Sequence, residues 1–527
     1  MKPRLRLALV ALGLAAMAVW QTIGPPRPHA DGRCVSAERP ARLRPDYVGL
    51  TIPPNIAPLN CVVAEPGTAA WLRFTDARGD RHWVAARRGV VDIPLRRWRA
   101  MLAASRGGAL GVDVYVRSAE GRWSHFAQPP HQVAAEPVDS YLCYRYFQPA
   151  VNAYVDLGIR QRNVTNFGES WVVHRDQVCR QCVNCHTPAQ GNPDRFLFHT
   201  RPTNGGSPSM VVVDHGQARV VDTRGAGHKS AGGYASWHPN GQLVAFSFNK
   251  IHQFIWEASP QPKDAIDISS RLGTYDLVTN TNSAPEPLNQ PGRLATFPCW
   301  SPDGKWLYYA SAERPWAADD PLPLKDAAKV RYDLMRCAYD AGSGAWGEPE
   351  LVLDHRDYGL SLIEPRVSPD GRWLLFVGCE YGSFPIFQRQ TDLWLLDLSQ
   401  PGQKARPVEP TAVSRRDSWH SWSSNGRWIV CASKRDNGTV ARAYLRYVDA
   451  DGQPRRPFVL PQRDPTFYDR CLHTYNVPEF QRGPSRVDPA SLAKVARSVG
   501  PTAAAAAAAA AGPSMDYHGA DDGPRRP

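Results

Sequence analysis

Four stretches in the second half of the chain repeat one pattern, and this repetition constrains the fold more than any other feature. SWHPNGQLVAFS (Ser236–Ser247), CWSPDGKWLYYAS (Cys299–Ser311), PRVSPDGRWLLFVG (Pro365–Gly378) and HSWSSNGRWIVCAS (His420–Ser433) each set a polar turn ahead of an apolar strand. Pro or Ser starts each reversal, Asp or Asn tolerates its second position, and Gly241, Gly304, Gly371 or Gly426 supplies the positive φ that returns the chain. Each turn therefore reads as a hairpin. A further strand signal follows every unit: TYDLVT (Thr274–Thr279), RYDLMRCAY (Arg331–Tyr339), TDLWLLDL (Thr391–Leu398) and RAYLRYVD (Arg442–Asp449). One such unit cannot bury both of its faces, so the units are expected to stack as blades around a central channel. The alternative is a β-sandwich with accidentally similar hairpins, and four turns of matching chemistry argue against it. SMVVVD (Ser209–Asp214) and QARVVD (Gln217–Asp222) read as one more hairpin, expected to close the ring with strands near HTYNVPEF (His473–Phe480).

The rest of the 527 residues allows one or two further domains. Between Asp46 and Glu136 (46–136) short apolar runs alternate with turns, as in AAWLRFTD, HWVAARRG and GVDVYVRS. This predicts a small all-β domain of sandwich type, interrupted by one helix over Leu95–Ala104. Val138–Thr203 (138–203) is read as a connector with a helix around Gln148–Leu157, the propeller as residues 205–482, and Pro484–Pro527 (484–527) as a disordered tail. Within the tail, Ala503–Ala511 is too short an alanine tract to hold a helix alone, and SLAKVARSV is expected to be only transiently helical.

The connector carries the chemistry. VCRQCVNCHTP (Val178–Pro188) contains Cys182-Val183-Asn184-Cys185-His186, the Cys-x-x-Cys-His spacing by which a c-type haem is attached. Two thiols at this spacing reach the two vinyl groups of one porphyrin, and the adjacent imidazole ligates the iron. Cys182 and Cys185 are thus the expected anchors and His186 the expected proximal ligand of one haem c. For a distal ligand the sequence offers His199 in FLFHTR first and Met210 in SPSM second, then another histidine such as His174, or an open site. Two other readings stand beside it. Cys179 extends the motif to CxxCxxCH, a donor set for tetrahedral zinc, and the thiols could equally be free or disulfide-bonded. Of the eleven cysteines nine lie outside the haem pair, an odd number, so at least one is free or paired elsewhere.

Lys2, Arg4 and Arg6 precede an apolar run from Leu7 to Trp20, with Gly24, Pro25 and Pro26 after it. Residues 1–30 are therefore read as a signal peptide, with Ala16-Met17-Ala18 as a cleavage site, or as an uncleaved membrane tether. The expected location is periplasmic or otherwise extracytoplasmic, where c-type haem is attached in bacteria. The formal charge of +12 does not point to nucleic acid, because the excess is arginine scattered among acidic residues, without a basic helix or finger motif. No G-x-S-x-G elbow, H-E-x-x-H, Walker or dinucleotide glycine pattern occurs, so no catalytic residue is assigned.

The SPDGKW and SPDGRW repeats resemble those of the TolB-like β-propeller. More of the chain is similar to a family of exported TolB-like proteins with a single Cys-x-x-Cys-His ahead of the propeller. The matching residues are IPPNIAPLN (Ile52–Asn60), YLCYRYFQP (Tyr141–Pro149), CVNCHTPAQGNPDRFLFHTR (Cys182–Arg201), the four turns, FYDR (Phe467–Arg470) and YNVPEF (Tyr475–Phe480). The resemblance implies six blades, with five as the alternative, and a cytochrome-related role. Electron transfer, or a redox-competent scaffold in the cell envelope, is the expected function, with a redox partner or an envelope protein as the partner. The alternative is a TolB-like interaction scaffold in which the Cys motif is structural or binds zinc, presenting the loops His252–Arg271 and Ala312–Lys329.

Overall fold

The structure is a computed structural model that describes residues 27–28, 34–149, 156–178, 182–201, 209–223, 232–255, 263–317, 324–410 and 415–499. The repeated turns fold as their chemistry dictates. Ser301 Oγ donates to Asp303 at 2.6 Å and accepts the Trp306 N–H at 3.0 Å, so one side chain pins both ends of the reversal. Ser368 and Ser423 accept from Trp373 and Trp428 in the same way, at 2.9 and 3.0 Å. Gly304 sits at φ 72°, and a Cβ there would stand 2.5 Å from Nε2 of His238 on the neighbouring blade, so this turn needs glycine for both conformation and space.

The chain divides into two bodies, one of Met1–Val138, Val164–Phe167 and Arg456–Cys471, the other of Asp139–Asn163, Gly168–Arg455 and Leu472–Pro527. The described strands of the second body form six antiparallel sheets, each a propeller blade. Five begin, in chain order, with the inner strands Cys182–Pro188, Gly233–Trp237, Arg293–Trp300, Ser361–Val367 and Asp417–Trp422. The remaining blade closes the ring: Thr474–Gln481, from the end of the chain, pairs with Tyr141–Phe147, followed outward by Gly158–Asn163 and Glu169–His174.

Two expectations change here. The connector read at 138–203 contains three strands of the closing blade and the first two strands of the next, so the propeller begins near residue 141 rather than 205. The ring is closed by Tyr141–Phe147, and Ser209–Asp214 and Gln217–Val221 are instead the third and fourth strands of the blade that starts at Cys182. The cause is that YLCYRYF and CVNCHTP lack the turn of Pro or Ser, Asp or Asn, and Gly that made the other blades legible. The insertion read as a loop at His252–Arg271 is largely an extension of one hairpin, Leu243–Ile255 with Lys263–Asp276. The helix expected around Gln148–Leu157 falls mostly outside the described residues, as does nearly all of the segment 1–30.

The stretch expected to be disordered from residue 484 also differs. Pro489–Val499 is a helix whose Leu492 and Val495 are 2% exposed. They pack into an apolar cluster with Val183, Phe196, Phe198, Val211 and Val213, so burial supplies the stability that a short isolated helix lacks. Residues 500–527, including the alanine tract, lie outside the described residues.

In the first body one nine-stranded half-barrel sheet takes the place of two facing sheets. The helix spans Leu95–Ala104 and buries Trp98, Met101 and Leu102, with Trp98 Nε1 donating to the Ile56 carbonyl at 3.0 Å. Among the described residues no helix is long and apolar enough to cross a membrane.

Candidate functional site

The inner strands of the six blades share a defect in their ladders. Register breaks between Asn184 and Thr187, Gly233 and Ser236, Thr296 and Cys299, Ile363 and Arg366, and Ser418 and His420, and the closing blade has its break between Cys143 and Arg145 opposite Asn476–Glu479. At each break one non-glycine residue has a positive φ: Cys185 (44°), Tyr234 (47°), Phe297 (52°), Glu364 (54°), Trp419 (46°) and Val477 (48°). Such bulges turn side chains out of the alternation of the strand. All six of these residues line a single chamber on the axis of the propeller, together with His186 and His420.

The Cys-x-x-Cys-His motif is therefore the inner strand of a blade, and its last two residues are the ones the bulge releases towards the chamber. Cys185 is 8% exposed and burial pushes its thiol pKa up. His186 is 1% exposed, and neither ring nitrogen makes a hydrogen bond of ordinary geometry. Burial lowers its pKa to about 4, against a smaller opposing effect of the Cys143 backbone, so the ring is neutral with a lone pair available. Arg145 clamps the strand, donating from Nε to the Val183 carbonyl at 3.1 Å and from Nη2 to the half-buried Cys182 Sγ at 3.3 Å.

His199 pairs across the ladder with both Asn184 and Met210. Its Nδ1 lies 3.0 Å from the Cys185 carbonyl, which only accepts, so the proton is on Nδ1 and Nε2 carries the lone pair, buried and unpartnered. Burial lowers its pKa to about 4. Met210 is fully buried in the apolar cluster of Leu197, Val212, Trp237 and Phe246. Neither is among the residues lining the chamber. His174 lies on an outer strand of the closing blade and faces Asp176 at 3.3 Å.

The residues fit a covalently held haem in donor chemistry: two free thiols and a neutral, buried, unpartnered imidazole. In space the fit is bounded. The chamber encloses about 30 Å³, room for roughly two waters, so a macrocycle tethered by the motif would lie outside it. The extended strand also sets the two thiols' backbones about 10 Å apart along the chain. For the zinc alternative, Cys179 lies outside the described residues. Among the described residues one group of His, Cys and carboxylate side chains is close enough to share an ion: Asp333, Asp354 and His355. It includes no motif residue, and Arg293 and Arg356 already pair with its carboxylates.

The far side of the chamber is made of residues that the sequence reading missed. Glu364 Oε2 accepts the Trp419 N–H at 2.6 Å, Oε1 has no partner, and burial raises the acid to about 8. His420 Nε2 lies 3.2 Å from the Leu375 carbonyl, Nδ1 is unpartnered, and burial lowers the ring to about 3. Tyr234, Phe297 and Trp419 form an aromatic cluster with centroids 4.5 to 5.8 Å apart. Arg366 lines both the chamber and a wider funnel of about 390 Å³, and pairs with Glu479 at 3.4 Å, which burial raises to about 7. A signal for this ring does exist: Tyr234, Phe297, Glu364 and Trp419 each stand seven positions ahead of the turn glycine of their repeat.

No family model matches the chain, and no curated protein matches it. Among solved structures it is similar to TolB from Acinetobacter baumannii, at 16% identity over 73% of this chain and 85% of that one, with a TM-score of 0.39. It is also similar to oligogalacturonate lyase from Vibrio parahaemolyticus, at 11% identity over 59% and 92% with a TM-score of 0.33. A third likeness is to Kuenenia stuttgartiensis hydrazine synthase, at 12% identity over 62% and 89% with a TM-score of 0.30.

Proposed function

We propose that this protein is an exported propeller bearing one haem c, tethered by Cys182 and Cys185 with His186 as proximal iron ligand, and acting in electron transfer or as a redox-competent scaffold of the cell envelope. The observation that carries this reading is the state of His186: buried, neutral and without a hydrogen bond of ordinary geometry at either ring nitrogen, on the inner strand that the motif itself forms. Bound there, a haem would supply one-electron chemistry. The chain would supply the tethers, the Arg145 clamp on the motif strand, and, in His199, a second imidazole with a free Nε2 as distal candidate. Met210 ranks lower, because its thioether is packed among apolar side chains.

The test is the mature full chain, produced in cells that carry haem-attachment machinery. Intact mass is expected to exceed that of the polypeptide by one haem, with a pyridine haemochrome band of the c type, and C182A/C185A is expected to lose both. A mass matching the amino acids alone would remove the redox role and leave a ring-shaped docking platform for an envelope protein.

A further inference from the structure

We propose that the axial chamber is a binding site for a small uncharged molecule of two or three heavy atoms, carrying a hydrogen-bond donor beside an acceptor and held between the Glu364 carboxyl and the His420 imidazole. Size sets the first limit. The chamber, with a volume of about 30 Å³, has room for roughly two waters, which favours a ligand of two or three heavy atoms.

The polar pair sets the second. The side chains of Glu364 and His420 are 4% and 0% exposed, with His420 Nδ1 4.0 Å from Glu364 Oε2, too far for a direct bond. His420 must carry its proton on Nε2, because the Leu375 carbonyl opposite can only accept, so Nδ1 offers a lone pair. Glu364 Oε2 already accepts from Trp419, and with the acid raised to about 8 the carboxyl is mostly protonated at neutral pH, which makes Oε1 the donor. Glu364 Oε1 and His420 Nδ1 thus stand buried and unmet in one small chamber, beside the equally unmet Trp419 indole N–H, a donor, and the ring nitrogens of His186, a costly state for each.

Charge sets the third. A cation would meet the Arg366 guanidinium in the wall, and an anion would lose its hydration beside aromatic surfaces and the lone pair of His420 while Arg366 is already paired with Glu479, so a neutral ligand fits best. Access runs from the wider funnel, since Thr187 and Arg366 line both spaces. Glu364 and His420 belong to blades other than the one carrying the motif, so the polar pair is in place with or without a haem, while Cys185 and His186 of the same chamber wall are the residues a haem would engage.

Formamide has the required pattern, a carbonyl to accept from Glu364 and an amide to donate to His420. Saturation-transfer NMR on its formyl proton would be recorded with the full chain, produced with and without haem-attachment machinery. A saturable signal is expected in the preparation made without that machinery, with a dissociation constant on the order of 1 mM, the ceiling for three heavy atoms. Glu364→Leu and His420→Phe should each weaken it about tenfold. Ala235→Val adds volume where Ala235 borders both the chamber and the apolar cluster of Leu197, Trp237 and Phe246, leaves the polar pair in place and should abolish the signal, with a cooperative melt showing that the variant is folded. No saturable signal in the wild-type chain produced without haem-attachment machinery, or an unchanged constant in folded Ala235→Val, would overturn the proposal whether or not the leucine and phenylalanine variants fold.

Discussion

Glu364 shows how one position can be quiet when its own strand is read alone and consequential in the fold. In SLIEPRV it reads as an acidic residue of an apolar strand, yet the bulge at φ 54° turns it onto the axis, where burial raises its pKa to about 8. An unfolded glutamate titrates near 4.3. Between these values the folded state binds more protons, so the stability this group contributes is complete below about pH 4 and is lost as pH rises towards 8, at about 1.4 kcal/mol per pH unit. His420 acts in the opposite sense, since its pKa falls to about 3 from roughly 6.5 and its contribution is lost as pH falls. The two oppose each other below about pH 6.5, the buried Glu479 and Asp267 add slopes of the Glu364 sign up to about 7, and the Glu364 slope stands clear above that. E364Q should therefore flatten the fall in stability between about pH 7 and 8, read from urea midpoints at successive pH values. Cys182, Cys185 and His186 were legible as a group because their spacing lies within five consecutive residues. Glu364 and His420 were not, because only the bulges of two blades bring them together.

Elements with a complete local code were read correctly, and those stabilised by partners were not. The four turn hairpins carry serine, or histidine in the first, then aspartate or asparagine and glycine at fixed offsets, and each folds on its own hydrogen bonds. Gly304→Ala should destabilise the propeller by at least about 1 kcal/mol, since alanine is strained at positive φ and its Cβ would meet His238 at 2.5 Å. Thermal melting of the single variant checks this. The helix Pro489–Val499 has the opposite origin. Its sequence is weakly helical alone, and Leu492 and Val495 hold it by burial beside Phe196, Phe198 and Val211. Leu492→Ala should cost about 2–4 kcal/mol in denaturant unfolding, and truncation after residue 483 should lower the melting temperature rather than leave it unchanged.

For the molecule as a whole, closure is the decisive event. The last inner strand, Thr474–Gln481, completes a blade whose other strands come from residues 141–174, more than three hundred positions earlier. A fragment of residues 205–482 lacks those three strands and the first two of the next blade. It is expected to show no cooperative thermal transition, whereas the full chain should melt sharply; a sharp transition in the fragment would contradict the assigned ring. The sequence by itself determined the all-β character, the blade-forming hairpins and the Cys-x-x-Cys-His group, because turn chemistry and strand patterning act within a few residues. Only the tertiary structure decided that the motif is an inner strand, that the chain closes through Tyr141–Phe147, and that a glutamate and two histidines share one buried chamber. Those facts rest on contacts between distant segments, whose free energy comes from burial and register across blades and leaves no local pattern to read.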